Sequence, residues 1–258
     1  MRRSRSRAEV TISVVALAAV LGGCSGGSPS VTAGPTTATS AATTPAAVVT
    51  SAAGSDDGCP PGGAAVPSGA GTAKSADLDG DGRADRVWLA DIDGKRTLGV
   101  RTASGAGFSR TFTSAAPQTA TALAARVGTG TGPGTDAVVL LDTGRSVALY
   151  AVVDCRLVES RNAQGEQYTF DRGFTGYGTG VGCPSVGGTP RLAGYLAETD
   201  TGASYRVTRT TVDLTAGGAK ATNGEKTTLG TTLKPTSTDV VAATGVTCGK
   251  ATPAHEPS

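Results

Sequence analysis

The stretch Asp77-Leu78-Asp79-Gly80-Asp81-Gly82-Arg83-Ala84-Asp85, followed at once by Arg86-Val87-Trp88-Leu89, decides how this chain is read. It is the densest cluster of carboxylates in the sequence, and a short apolar run begins directly behind it. Asp77, Asp79 and Asp81 occupy alternate positions of a curling loop, with the Arg83 carbonyl and Asp85 completing the series. Gly80 and Gly82 permit the curl, because glycine adopts positive φ without steric cost. Hard cations such as calcium take about six to eight oxygen ligands, and loops with this alternation supply them. The spacing therefore suits a calcium ion held by Asp77, Asp79, Asp81, the Arg83 carbonyl and Asp85. Trp88 stands where an EF-hand needs its closing Glu. Val87-Trp88-Leu89-Ala90 reads as a buried strand, so the EF-hand helices are not expected. The competing reading is a solvated acidic turn between strands.

Residues 76–89 resemble the calcium-loop core of FG-GAP or VCBS-type repeats, the blade units of integrin-like β-propellers. The resemblance implies an Asp-rich loop preceding part of a blade, with a structural calcium on Asp77, Asp79, Asp81 and Asp85. Beyond these residues the reading rests on internal repetition. Asp85 and Asp136 lie 51 residues apart, and each precedes an apolar strand. The first unit continues through a turn at Asp93-Gly94 to Thr97–Thr102 and Phe108–Thr113. The second passes Ala137–Leu141, a turn at Thr143-Gly144, Val147–Val153 and Arg156–Glu159. The third, looser, runs over Arg191–Ala197, a turn at Thr201-Gly202, Tyr205–Arg209 and Thr211–Leu214. Asp-Gly and similar pairs between apolar runs signal hairpins, and a period near 50 suggests blades. The expected fold is all-β: about three propeller-like or stacked hairpin blades over residues 58–248, with a disordered tail over 249–258. Gly128, Gly130 and Gly132 replace the first three loop carboxylates in the second unit, so one calcium is expected rather than two. Asp91 and Asp93 read as turn residues.

The N-terminus carries Arg2, Arg3, Arg5 and Arg7, then a short apolar run, then Leu21-Gly22-Gly23-Cys24. This is the pattern of a secretory signal peptide over residues 1–23. The Leu-Gly-Gly-Cys ending resembles a bacterial lipobox. It implies cleavage before Cys24, fatty acylation there, and attachment to the outer face of the cell membrane. Residues 24–57 are mostly Ser, Thr, Ala, Gly and Pro, with no charged residue before Asp56, the composition of a disordered linker. Such a chain spans about 30 Å. Removing the first 23 residues leaves 19 basic and 20 acidic side chains. A near-neutral protein has no electrostatic case for binding nucleic acid.

Cys59, Cys155, Cys183 and Cys248 remain once Cys24 is acylated. Four cysteines outside the cell imply two disulfides, in one of three connectivities. The spacing favours Cys155–Cys183 closing a local loop and Cys59–Cys248 joining the ends. The layout also resembles actinobacterial lipoproteins that pair a single Asp-Gly-rich loop with a downstream Cys-Arg-Leu segment, here Cys155-Arg156-Leu157.

The single histidine, His255, lies in a polar Pro-containing tail, which leaves a Ser-His-Asp or Cys-His mechanism without a base inside the fold. The chain is accordingly read as no enzyme. Tyr168, Phe170, Phe174 and Tyr177 place four of the ten aromatic residues in one short segment. They either contact a ligand or pack over an open end of the sheets. The first functional reading is a calcium-stabilised binding module of the cell envelope, taking a glycan or an envelope protein. The second is a structural envelope protein without a small ligand. The third is a carboxylate hydrolase using acids such as Glu159, Glu166, Asp171 or Glu198.

Overall fold

In the computed structural model, residues 58–173 and 178–258 are described. The apolar runs behind each turn become antiparallel strands. The first sheet holds β1 (Gly62–Gly63), β2 (Gly71–Lys74), β3 (Arg86–Ile92), β4 (Lys95–Arg101) and β5 (Ala106–Thr111), in the order β1-β5-β4-β3-β2. The second holds β6 (Thr121–Gly128), β7 (Thr135–Asp142), β8 (Ser146–Val153), β9 (Arg156–Glu159) and β10 (Thr169–Asp171). The third begins with β11 (Thr179–Gly182). After a small ribbon of β12 (Ser185–Val186) and β13 (Thr189–Pro190), it continues with β14 (Ala193–Glu198), β15 (Tyr205–Thr215) and β16 (Lys220–Leu233). A short helix α1 (Thr238–Ala242) follows, and β17 (Ala254–His255) returns to pair with β6. The chain is all-β, one sheet curls into half a barrel, and each expected unit has become a sheet.

The expected hairpin signals set the register. Asp93 (φ 53°) and Gly94 (φ 75°) both lie in the left-handed region, as a two-residue type I′ turn requires. Asp91 Oδ1 accepts the Gly94 N–H at 2.7 Å, and Ile92 pairs with Lys95. Asp93 is thus a turn residue, whereas Asp91 belongs to β3, where it pairs with Arg96 and its carboxylate caps the turn.

Alternation then sorts side chains between two cores. From the second sheet, Ala137, Val139 and Leu141 face Val87, Leu89, Leu98 and Val100 of the first. Their neighbours Val138 and Leu140 face Leu192, Val212 and Leu214 of the third. The central sheet is therefore buried on both faces, which explains the unbroken apolar run Ala137–Leu141. A smaller core packs α1, through Val240, against Tyr195 and Val207.

Three expectations are corrected. The disulfides are Cys59–Cys155 and Cys183–Cys248, not Cys155–Cys183 and Cys59–Cys248. Stacking decides this. Cys155 sits in the β8–β9 turn of the second sheet, where it meets the start of the domain at Cys59. Cys183 follows β11, and Thr247 donates its N–H to the Val181 carbonyl, which brings Cys248 alongside. The second correction is β16. It was not expected because its Thr, Gly and Lys residues lack an alternating pattern, and only Ala221 along it is buried.

The third concerns the tail. Residues 254–255 are a strand, and Ala254 is buried in the first core. Glu256 accepts hydrogen bonds from Arg96 Nε at 2.6 Å, from Arg96 Nη2, and from the Ala120 N–H at 2.8 Å. A partner 160 residues away leaves no local trace in sequence. Burial opposes ionisation of Glu256, but the Arg96 and Ala120 hydrogen bonds outweigh it and hold the carboxyl below its ordinary value. A lowered carboxylate contributes stability above its unfolded value and loses it as pH falls through its folded one. Glu256→Gln should therefore cost about 1–2 kcal/mol in urea unfolding at pH 7. That difference should shrink toward pH 3; an equal cost at both pH values would assign the loss to packing alone.

Candidate metal centre

The acidic loop connects β2 to β3 on the first sheet. Ser75 donates its N–H to the Asp85 carbonyl at 2.9 Å and Asp85 returns its own to Ala76 at 3.2 Å, so the loop closes on itself. Within it, Asp77, Asp79 and Asp85 each offer one carboxylate oxygen, and these oxygens lie within 4.8 Å of one another. Like charges at that separation repel by on the order of 3 kcal/mol per pair at an effective dielectric near 20. Something must offset this repulsion.

Backbone donors do part of it. Asp77 Oδ1 and Oδ2 accept the Gly80 and Gly82 N–H groups at 2.6 and 2.9 Å. Asp85, 1% exposed, accepts Leu78 N–H at 2.6 Å and Ala103 N–H at 2.8 Å, one on each oxygen. Asp79 Oδ2 accepts the Cys59 N–H at 2.9 Å and the Ser104 hydroxyl at 2.8 Å. Asp79 Oδ1 is buried and accepts nothing. The compensation is incomplete. Burial, reinforced by the charges of Asp79 and Asp77, pushes the Asp85 carboxyl up to about 6 despite its two N–H donors.

The expected ligand set is thus brought together in part. Asp77, Asp79 and Asp85 converge. Asp81 turns instead to Arg83, accepting its N–H at 2.8 Å, its Nε at 3.0 Å and its Nη2 at 2.7 Å. A donor set of carboxylate oxygens suits a hard divalent cation, and the unpartnered Asp79 oxygen fits one.

Sequence reasoning missed the supporting residues. Ala103 and Ser104 belong to the β4–β5 turn, and Gly58 and Cys59 to the domain's start. A Cβ on Gly58 would lie 2.6 Å from Asp79 Oδ2, so the entering chain is pressed against the loop. None of these carries a signal for the site in sequence.

The second unit shows how the same loop lives without its carboxylates. A Cβ at Gly130, the counterpart of Asp79, would lie 1.9 Å from Arg191 Nη2. That guanidinium bonds Asp213 Oδ1 at 2.7 Å. An internal cation lies where the first unit gathers acids.

Tyr168 and Phe170 form an edge-to-face pair with centroids 5.2 Å apart. Phe170 is buried in the second core, where a Cβ on Gly194 would come within 3.2 Å of its ring. The Tyr168 hydroxyl bonds Asn223 Oδ1 at 2.5 Å, and burial pushes its phenol up to about 12. For these two rings packing is what the structure displays. Phe174 and Tyr177 lie outside the described residues, as do the expected signal peptide, Cys24 and the linker.

No protein-family model matches the chain, and neither the curated proteins nor the solved structures include a match to it.

Proposed function

We propose that this protein is a lipid-anchored, extracytoplasmic binding module of the cell envelope whose β domain is stabilised by one calcium. The observation that carries the metal is the convergence of Asp77, Asp79 and Asp85, with one buried Asp79 oxygen left without a donor. These three residues would hold the ion, which supplies positive charge to a cluster that backbone donors balance only in part. Two disulfides support an oxidising compartment. The Leu21-Gly22-Gly23-Cys24 ending supports acylation at Cys24. The FG-GAP resemblance of residues 76–89 is consistent with a blade-type loop feeding β3.

The anchor is tested by metabolic labelling with a fatty acid. Wild type should carry the label and partition into detergent, and Cys24→Ser should carry none. Label retained by Cys24→Ser, or wild type released unlabelled into the medium, would remove the anchor from this reading. Two acyl chains add about 0.8 kcal/mol for each buried methylene, enough for stable attachment.

A further inference from the structure

An open cleft of about 520 Å³ lies where three elements meet: the end of β2 in the first sheet, β6 in the second, and the turn after Cys248. That volume is within the range of small-molecule sites. Its charged lining residues are Lys74, Arg126 and Lys250, and no Asp or Glu lines it. Composition does not explain this, because residues 24–258 carry 19 basic and 20 acidic side chains. Among the described residues, neither Lys74 nor Lys250 forms an ion pair. Arg126 gives its hydrogen bonds to neutral acceptors: Nε to Thr135 Oγ1 at 3.0 Å, Nη2 to the Thr135 carbonyl at 3.1 Å, and Nη1 to the Asp77 carbonyl at 3.4 Å. Its charge only partly offsets the burial that raises the Asp136 carboxyl. The positive charge of the cleft is therefore largely unbalanced.

The fold holds these cations in place. Ala73 is buried, so alternation along β2 turns Lys74 outward. Arg126 is fixed by its three hydrogen bonds. Lys250 stands on a turn closed by the Ala251 N–H on the Cys248 carbonyl at 3.0 Å. Cys248 is bonded to Cys183, and Ala251 packs against the second core, so the turn is pinned at both ends.

Three cations without a carboxylate favour an anion of more than one charge. A phosphate monoester carries about two charges at neutral pH. Its oxygens suit both the ammonium groups and the guanidinium fork. A lone carboxylate would leave most of the positive charge unanswered. The remaining wall includes Ala125, Pro190 and the Cys183–Cys248 disulfide, which are apolar and suit the organic part of such a ligand. We propose that this cleft binds a small phosphate monoester, with Lys74, Arg126 and Lys250 around the phosphate. The assignment deepens the reading of the domain as a binding module and makes no use of the metal loop. A soluble phosphate ester and the headgroup of phosphatidic acid present the same chemistry.

The test uses the disulfide-intact chain from residue 24 onward with Cys24→Ser, so that no acyl group carries it to a membrane. Glycerol phosphate, titrated by NMR, should shift the amide signals of Lys250 and Ala251. Glycerol should not, and acetate should bind far more weakly. Lys74→Gln combined with Lys250→Gln should weaken glycerol phosphate by about tenfold or more. The melting temperature should hold, because both side chains are exposed. Lys234→Gln, an exposed lysine outside the cleft, should leave binding as it is. Co-sedimentation with phosphatidylcholine vesicles containing phosphatidic acid separates the two sources. Retention that the double variant loses places the ligand on the membrane; binding of glycerol phosphate without retention places it in solution. Failure of both arms would overturn the proposal, as would binding unchanged in the double variant. Acetate binding as tightly as phosphate, or an equal loss in Lys234→Gln, would overturn it too. If the phosphate site fails while calcium still raises the melting temperature, the metal part of the reading stands.

Discussion

Replacing Cys59 and Cys155 together by Ser is expected to destabilise the domain by about 4–5 kcal/mol, the chain-entropy figure for a loop near 100 residues. The bond spans 96 residues and ties the β8–β9 turn of the second sheet to the start of the domain. The loss should exceed that entropy cost in one respect. The Cys59 N–H is a donor to Asp79, and Gly58 is packed against Asp79 and Asp81. Freeing this segment withdraws a donor from the acidic cluster, so the double variant should also bind metal more weakly. Urea unfolding measures the first effect, and calcium titration of the same protein measures the second. Non-reducing peptide mapping should recover Cys59 joined to Cys155. Recovery of Cys155 joined to Cys183 would overturn the connectivity.

Calcium should raise the melting temperature of the domain at neutral pH. At one hundred times its dissociation constant, a ligand that binds only the folded state adds about 2.7 kcal/mol. Each kcal/mol moves the midpoint of a domain of this size class by about 2–4 °C. Asp79→Asn should abolish the shift. Without calcium the same variant should be no less stable than wild type, because it relieves like-charge repulsion and keeps an acceptor for Cys59. Asp91→Asn, at the end of β3 beside the turn, should leave the shift intact. A variant that lost stability equally with and without calcium would mark Asp79 as a structural acceptor only.

The metal-free protein carries a pH signature of opposite sign to that of Glu256. The folded-state Asp85 carboxyl is raised to about 6, first by burial and then by its acidic neighbours. A raised group contributes stability below its unfolded value and loses it as pH rises through the folded one. In chelator, the melting temperature should therefore fall as pH rises through about 6. Calcium competes with that proton, so its stabilising effect should grow over the same interval. Flat behaviour in chelator would show that Asp85 titrates normally.

Some of this was legible in sequence because it is local. The Asp93-Gly94 turn needs positive φ at both positions, and that residue pair supplies it cheaply. The strand Ala137–Leu141 shows its double burial in five consecutive apolar residues. The loop from Asp77 to Asp85 displays its carboxylates at alternate positions. Other features were hidden because their partners are remote. Glu256 is tied to Arg96, and Ser104 and Cys59 reach Asp79 from separate turns. The residues of β16 pair through their backbones at a sheet edge, which places little demand on side-chain pattern.

The sequence by itself determined the all-β class, the three units, their main turns and the presence of an acidic loop. Each follows from backbone preference or from alternation within a few residues. Only the tertiary structure decided which cysteines meet, which carboxylates converge, that Asp81 belongs to Arg83, and that the tail closes the second sheet. Those outcomes depend on how one sheet's face settles on the next. That placement is governed by the sum of many apolar contacts, which no single stretch of chain encodes.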